Sequence, residues 1–284
     1  MARRSVMFSP GDQPDLMRKA PGTGADVVVF DLEDAVTPSR KAAAREQVGE
    51  VLREIDPDAE VCVRVNPVGA GAEADLADAL VDPSRVDSVM LPKVDGPDAV
   101  ERLAVLLAEH GTEVPVLALV ESAAGVLSAA EIARVPATDA LLFGTEDLAA
   151  DVGATRTDEG TEVLYARQHV VLAASAAGVD AVDTLWTDFE DTEGLRADTE
   201  RGIEMGYDGK MAIHPRQVSV INEAFTPSDE RVAWAERVLA AREESAASDR
   251  GVFEVDGEMV DAPLVAQAER VLARAEAAGK RNPG

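Results

Sequence analysis

Several kinds of chemistry are closed to this 284-residue chain by what it lacks. A single cysteine, Cys62, excludes an internal disulfide, and three scattered histidines at 110, 169 and 214 leave no zinc-type spacing. No run of about 18 apolar residues occurs and no long apolar segment opens the chain, so neither a membrane partner nor secretion is expected, and a cytoplasmic location is. Basic residues are few: 27 Lys and Arg stand against 54 Asp and Glu, a formal charge of −27, which argues against nucleic acid or an anionic membrane surface as partner. Lysine is scarce beside arginine. There is no glycine-rich phosphate cradle, and no serine sits in a nucleophile-elbow context, so nucleotide hydrolysis and covalent catalysis are not expected.

What the chain does have is apolar residues, 46 % of the total, set in regular periods, and this rules out the disorder that such acidity would otherwise suggest. The charge then reads as a solvated coat. Its density, with alanine-rich helices and few lysines, is similar to that of proteins from salt-loving cytoplasms, where molar salt screens self-repulsion beyond about 3 Å.

Short runs rich in Val, Leu and Met, bounded by Gly, Pro or Asp, predict buried parallel strands at 5–9, 27–32, 61–66, 88–92, 114–121, 140–144, 180–184 and 210–214. Between them lie helical stretches, among them 39–54, 97–110, 124–134, 158–177 and 192–205. Eight strands alternating with helices predict an α/β protein, a closed (β/α)8 TIM-type barrel. A doubly wound open sheet would carry a glycine-rich turn after its first strand, where this chain has SPGDQP. The barrel is expected to span 1–225. A C-terminal helix-hairpin-helix arm follows over 226–284: a helix at 227–243, two short strands around Asp256-Gly257, and a last helix at 262–278 with one apolar face. Such a face must cover something, either the barrel mouth or a neighbouring subunit.

Chemistry-bearing residues gather at strand ends. Arg64, in VCVRVN, suits a carboxylate held by two parallel hydrogen bonds, or else an ion pair inside the barrel. Glu121 ends an apolar strand, where a carboxylate is costly unless it is paired, capping a helix or bound to a cation. Asp147, following Gly144, Thr145 and Glu146, brings a second carboxylate to the same face. Two carboxylates suit Mg²⁺, which fills its other positions with water and substrate oxygens. Asp31, Glu33 and Asp34, in FDLEDAV, read as acceptors supporting Arg64 or the metal waters, or as caps for the next helix. His214, in AIHP, is placed for proton transfer or for positioning backbone, while His110 and His169 read as structural.

Together, RSVMFSPGD, ADVVVFDLEDAV, VRVNP, MLPKV, LVESAAGVLSAAEIA, FGTEDLAADVG, AVDT and DGKMAIHP resemble the citrate lyase beta-subunit-like family of CoA-thioester lyases, with the HpcH/HpaI aldolases as more distant kin. The resemblance runs from about residue 3 to 272. It implies a Mg²⁺-dependent carbon-carbon lyase that cleaves malyl-, citramalyl- or citryl-CoA reversibly to acetyl-CoA and a 2-oxoacid. By the match, Glu121 and Asp147 correspond to the ligands of Mg²⁺ (or Mn²⁺), with Glu121 also near substrate, and Arg64 corresponds to the residue on the 2-oxoacid. Asp261, in GEMVDAPLVAQAERVLARA, corresponds to an aspartate reaching the site from a neighbouring subunit, so a homo-oligomer, trimer or hexamer, is implied. Read from its own surroundings, Asp261 is a cap for the last helix. CoA is expected on basic residues near the first strand, Arg4 and Lys19 foremost, with Arg18, Lys41 and Arg45 as further candidates. Three alternatives stay open: a malyl-CoA thioesterase, a citrate lyase beta subunit acting on an acyl carrier protein, and an inactive binding protein on the same fold.

Overall fold

The computed structural model describes residues 2–80, 85–157, 159–246 and 252–279. Eight parallel strands close into a barrel in chain order: β1 Ser5–Pro10, β2 Val27–Asp31, β3 Glu60–Arg64, β4 Ser88–Leu91, β5 Val116–Val120, β6 Thr138–Phe143, β7 Asp180–Asp183 and β8 Gly209–Ala212. Closure is made by β1 on β8, with Val6 opposite Met211. The interior is filled by Val6, Val29, Cys62, Met90, Leu117, Leu142 and their neighbours, all essentially inaccessible to water. Burying each Val, Leu or Met contributes roughly 1.5–3 kcal/mol. Burial pushes the Cys62 thiol up to about 12, so it is an inert core residue.

The helical layer departs from the sequence expectation in detail. The stretch 124–134 is two short helices, Ala123–Leu127 and Ala129–Ala133, that meet at Ser128, and the helix expected from 158 begins at Leu164 because Gly160 takes a left-handed φ of 62°. Helices Pro14–Lys19, Ala72–Ala79, Thr145–Val152 and Pro215–Phe225 are additional. Outside the strands, Arg167 and Lys210 bind Asp183 and Asp198 in a buried cluster that ties helices Leu164–Ala177 and Thr192–Met205 to β7 and β8, with Lys210 Nζ 2.6 Å from Asp198 Oδ2. No described helix is long and apolar enough to cross a membrane.

The chain divides into two compact units, Arg3–Ile221 and a second beginning at Asn222, four residues before the boundary read from sequence. In the second unit, helix Asp229–Ala246, hairpin strands Phe253–Val255 (β9) and Glu258–Val260 (β10), and helix Ala262–Ala277 share their own core of Val238, Val255, Val260, Val265 and Leu272. The hairpin turn needs two successive left-handed residues, supplied by Asp256 (φ 55°) and Gly257 (φ 85°).

Candidate active site

The register of β2 against β3 sets Asp31 directly beside Arg64 at the carboxyl mouth. Arg64 Nε donates to Asp31 Oδ1 at 2.7 Å and Nη2 to Oδ2 at 2.5 Å, while the same carboxylate accepts the amides of Glu33 and Ala35. The fork is therefore locked on two of its three nitrogens. Among the described residues Nη1 meets Glu33 Oε2 alone, at 3.5 Å, and is the edge left for an anionic ligand. The guanidinium lies 4.8 Å from the centre of the Phe8 ring. Burial alone would lower its pKa, but Asp31, Glu33 and Glu121 raise it, so Arg64 is a permanent cation.

Glu121 follows the last residue of β5 and is 4 % exposed. Its Oε1 accepts the backbone amide of Lys93 at 2.8 Å. A β-carbon on residue 144 would stand 2.8 Å from Oε2, so the glycine after β6 is what lets this carboxylate occupy its place. Asp147, exposed in the first turn of Thr145–Val152, brings a second carboxylate against it. Burial first, and then the charge of Asp147, push Glu121 up to about 8, and the Lys93 amide only partly opposes them. Thr145 and Thr184 share a buried hydroxyl contact of 2.6 Å that fixes the start of the Asp147 helix. Among the described residues no cluster of three His, Cys, Asp or Glu side chains forms a metal cage. The pair nevertheless fits a hard divalent ion that keeps water and substrate oxygens, because two facing carboxylates, one of them buried, make no direct ion pair with a Lys or Arg among the described residues.

One cavity of about 230 Å³ is lined by Arg64, Glu121 and Asp147 together, with Phe8, Asp31 and Asp34. Of the supporting acids, Asp31 holds Arg64, while Glu33 is 4 % exposed and takes the ammonium of Lys93, which also reaches Asp34. Burial pushes Glu33 up, and Lys93 opposes it. His214 is stacked on Phe189 and accepts the amide of Arg216 through Nδ1, a backbone-positioning arrangement. Sequence reasoning passed over Lys93 and Thr184. The first had a usable signal: one of only five lysines stands two residues after strand β4.

The CoA candidates are spread over the molecule, and Arg4 needs correction. Arg4 precedes β1, at the amino mouth, and is held by Asp26 through Nε and Nη2, both at 2.8 Å. A strand of six residues separates that mouth from Arg64's by roughly 20 Å, so nearness to the first strand in sequence put Arg4 at the wrong end. Arg18 pairs with Glu54 and Arg45 with Asp75, while the Lys41 ammonium is taken by Leu32 O, Glu33 O and Asn66 Oδ1. Lys19 is exposed in the last turn of Pro14–Lys19. Asp261 belongs to the second unit, where its side chain caps helix Ala262–Ala277 by accepting the Leu264 amide at 3.4 Å.

Comparison with known proteins adds independent findings. The family described as HpcH/HpaI aldolase/citrate lyase matches residues 4–215, and that described as C-C bond lyase of the TIM-barrel fold matches 162–280. Mitochondrial citramalyl-CoA lyase of Rattus norvegicus is 36 % identical, over 95 % of this chain and 85 % of its own. The (3S)-malyl-CoA thioesterase of Cereibacter sphaeroides is 37 % identical, over 96 % of this chain and 95 % of its own. The crystal structure of CitE from Mycobacterium tuberculosis, in complex with magnesium, acetoacetate and coenzyme A, superposes with a TM-score of 0.77 at 37 % identity, covering 97 % of this chain and 98 % of that one.

Proposed function

The chain belongs to the HpcH/HpaI aldolase/citrate lyase family of enzymes, and on that premise we propose that it cleaves a 3-hydroxyacyl-CoA reversibly to acetyl-CoA and a 2-oxoacid. The observation that carries this reading is the facing pair Glu121 and Asp147, across one small cavity from the open edge of Arg64. In this reading Glu121 and Asp147 would hold Mg²⁺. When bound, the ion supplies Lewis acidity to the oxygens of the oxoacid half.

Arg64 places Nη1 against the same oxygens and offsets charge that builds there, and in a space closed by Phe8, Leu119 and Leu185 that is worth several kcal/mol. The hydroxyl proton passes to solvent water as the carbon-oxygen double bond of the 2-oxoacid forms and the carbon-carbon electron pair moves to the thioester enolate; Asp261 from a neighbouring copy gives a proton to that carbon and regains one from solvent. Catalysis by this route requires an oligomer. For CoA, Lys19, exposed in the last turn of Pro14–Lys19, is kept as the basic contact of this reading.

The test is to incubate the protein with Mg²⁺, acetyl-CoA and glyoxylate, pyruvate or oxaloacetate in turn. A condensed thioester of the right mass is expected with one of them, and no product from any of the three contradicts the reading. A second reading, thioester hydrolysis, is favoured by the thioesterase relative at similar identity. It predicts free CoA from malyl-CoA with the hydroxyacid left intact.

A further inference from the structure

Lys93 stands where β4 turns into its loop, and it is one of two described non-glycine residues with a left-handed backbone, φ 54°. The other, Asp256, is accounted for by its hairpin turn. A lysine gains nothing locally from that conformation, so the surroundings must hold it there. Two contacts do so. The backbone N–H donates to Glu121 Oε1 at 2.8 Å, and the ammonium binds Glu33, with Asp34 at 3.3 Å. Glu33 in turn stands 3.5 Å from the one Arg64 nitrogen that Asp31 leaves open.

We propose that Lys93 is a positioning residue with two separable parts: its amide orients Glu121 toward Asp147, and its ammonium keeps Glu33 from occupying the substrate edge of Arg64. The inference rests on the lyase reading and extends it to the seating of the 2-oxoacid carboxylate. Without the ammonium, Glu33 turns to Arg64 Nη1 as its remaining cation and competes with the substrate anion. Without the left-handed backbone, Glu121 loses the hydrogen bond that fixes its lone-pair directions.

The two parts are tested by different substitutions. Lys93→Gly keeps the amide and the conformation but removes the ammonium. Mn²⁺ affinity, measured by calorimetry in the absence of substrate, should stay within about threefold of the parent, while KM for the 2-oxoacid rises at least tenfold with kcat changed less. Lys93→Arg should restore most of KM, and Lys93→Gly/Glu33→Gln should recover it as well, because the competing carboxylate is gone. Lys93→Val, whose branched side chain resists positive φ, should weaken Mn²⁺ at least tenfold in a protein whose melting midpoint shows it still folds. An unchanged KM in Lys93→Gly, or failure of the Glu33→Gln double variant to recover it, overturns the ammonium part. Parent-like Mn²⁺ affinity in Lys93→Val overturns the amide part. A parent protein that binds no Mn²⁺ instead overturns the lyase reading, and this inference with it.

Discussion

The two mouths of the barrel handle buried charge in opposite ways. At the amino mouth, Arg3, 9 % exposed, takes Glu60 at 2.8 Å, Asp139 at 2.6 Å and Asp180 at 3.1 Å, and Ser88 adds its hydroxyl to Glu60. Arg4 pairs with Asp26 beside it. At the carboxyl mouth Asp31, Glu33, Asp34, Glu121 and Asp147 gather around Arg64 and Lys93. Asp31 is satisfied. Glu121 has one amide and a like-charged neighbour, and its carboxyl is displaced upward to about 8. A closed ionic cluster has its charges matched and is costly only to break; an open carboxylate pair is an unfilled requirement for positive charge, which is what a binding site is.

Substitutions at each mouth test that contrast. The largest effect is expected from Glu121→Ala, which removes Mn²⁺ binding and lowers turnover roughly 10³-fold, whereas Asp261→Ala lowers turnover comparably but leaves Mn²⁺ affinity intact. Calorimetry on both separates ligand from proton donor, and retained lyase activity in Asp261→Ala would remove the second unit from the mechanism. Arg3→Met should act in reverse. It strands Glu60 in the interior and costs about 3–5 kcal/mol in urea unfolding, with no change in Mn²⁺ affinity of the folded fraction.

A smaller effect comes from pH. Because the folded pKa of Glu121 lies above the ordinary carboxylate value of 4.5, the folded state holds its proton longer than the unfolded chain does. Stability of the metal-free protein therefore falls as pH rises from about 4.5 to about 8, by at most about 1.4 kcal/mol per unit from this group. In Glu121→Gln that decline should flatten, and saturating Mg²⁺ should remove it in the parent; parallel profiles in the two proteins would contradict the assignment. The smallest effect expected is screening of the −27 charge, seen as a melting midpoint that rises between low and molar KCl.

Most strands were legible because they are apolar runs buried on both faces between Gly, Pro or Asp, and Asp256-Gly257 was legible because few other pairs adopt two left-handed residues in succession. Short helices such as Pro14–Lys19 were not, since six residues barely exceed one turn and carry no period to detect. That Arg64, Glu121 and Asp147 would line one cavity was legible because the carboxyl ends of parallel strands share one mouth. Arg4 was misplaced for the complementary reason: it lies one residue before β1, at the other mouth. Lys93 escaped because its role lies in a backbone angle and in a long side chain that reaches from β4 to the loop after β2, and neither leaves a pattern along the chain.

The central claim, that the carboxylates of Glu121 and Asp147 await a divalent cation beside Arg64, has a direct test. Calorimetric titration of Mg²⁺ at pH 7 in two buffers of different ionisation enthalpy reads both affinity and proton release. The account predicts a single site whose filling releases close to one proton, the one held by Glu121, and the loss of both signals in Glu121→Gln. Binding without proton release, or binding that survives Glu121→Gln unchanged, would contradict it.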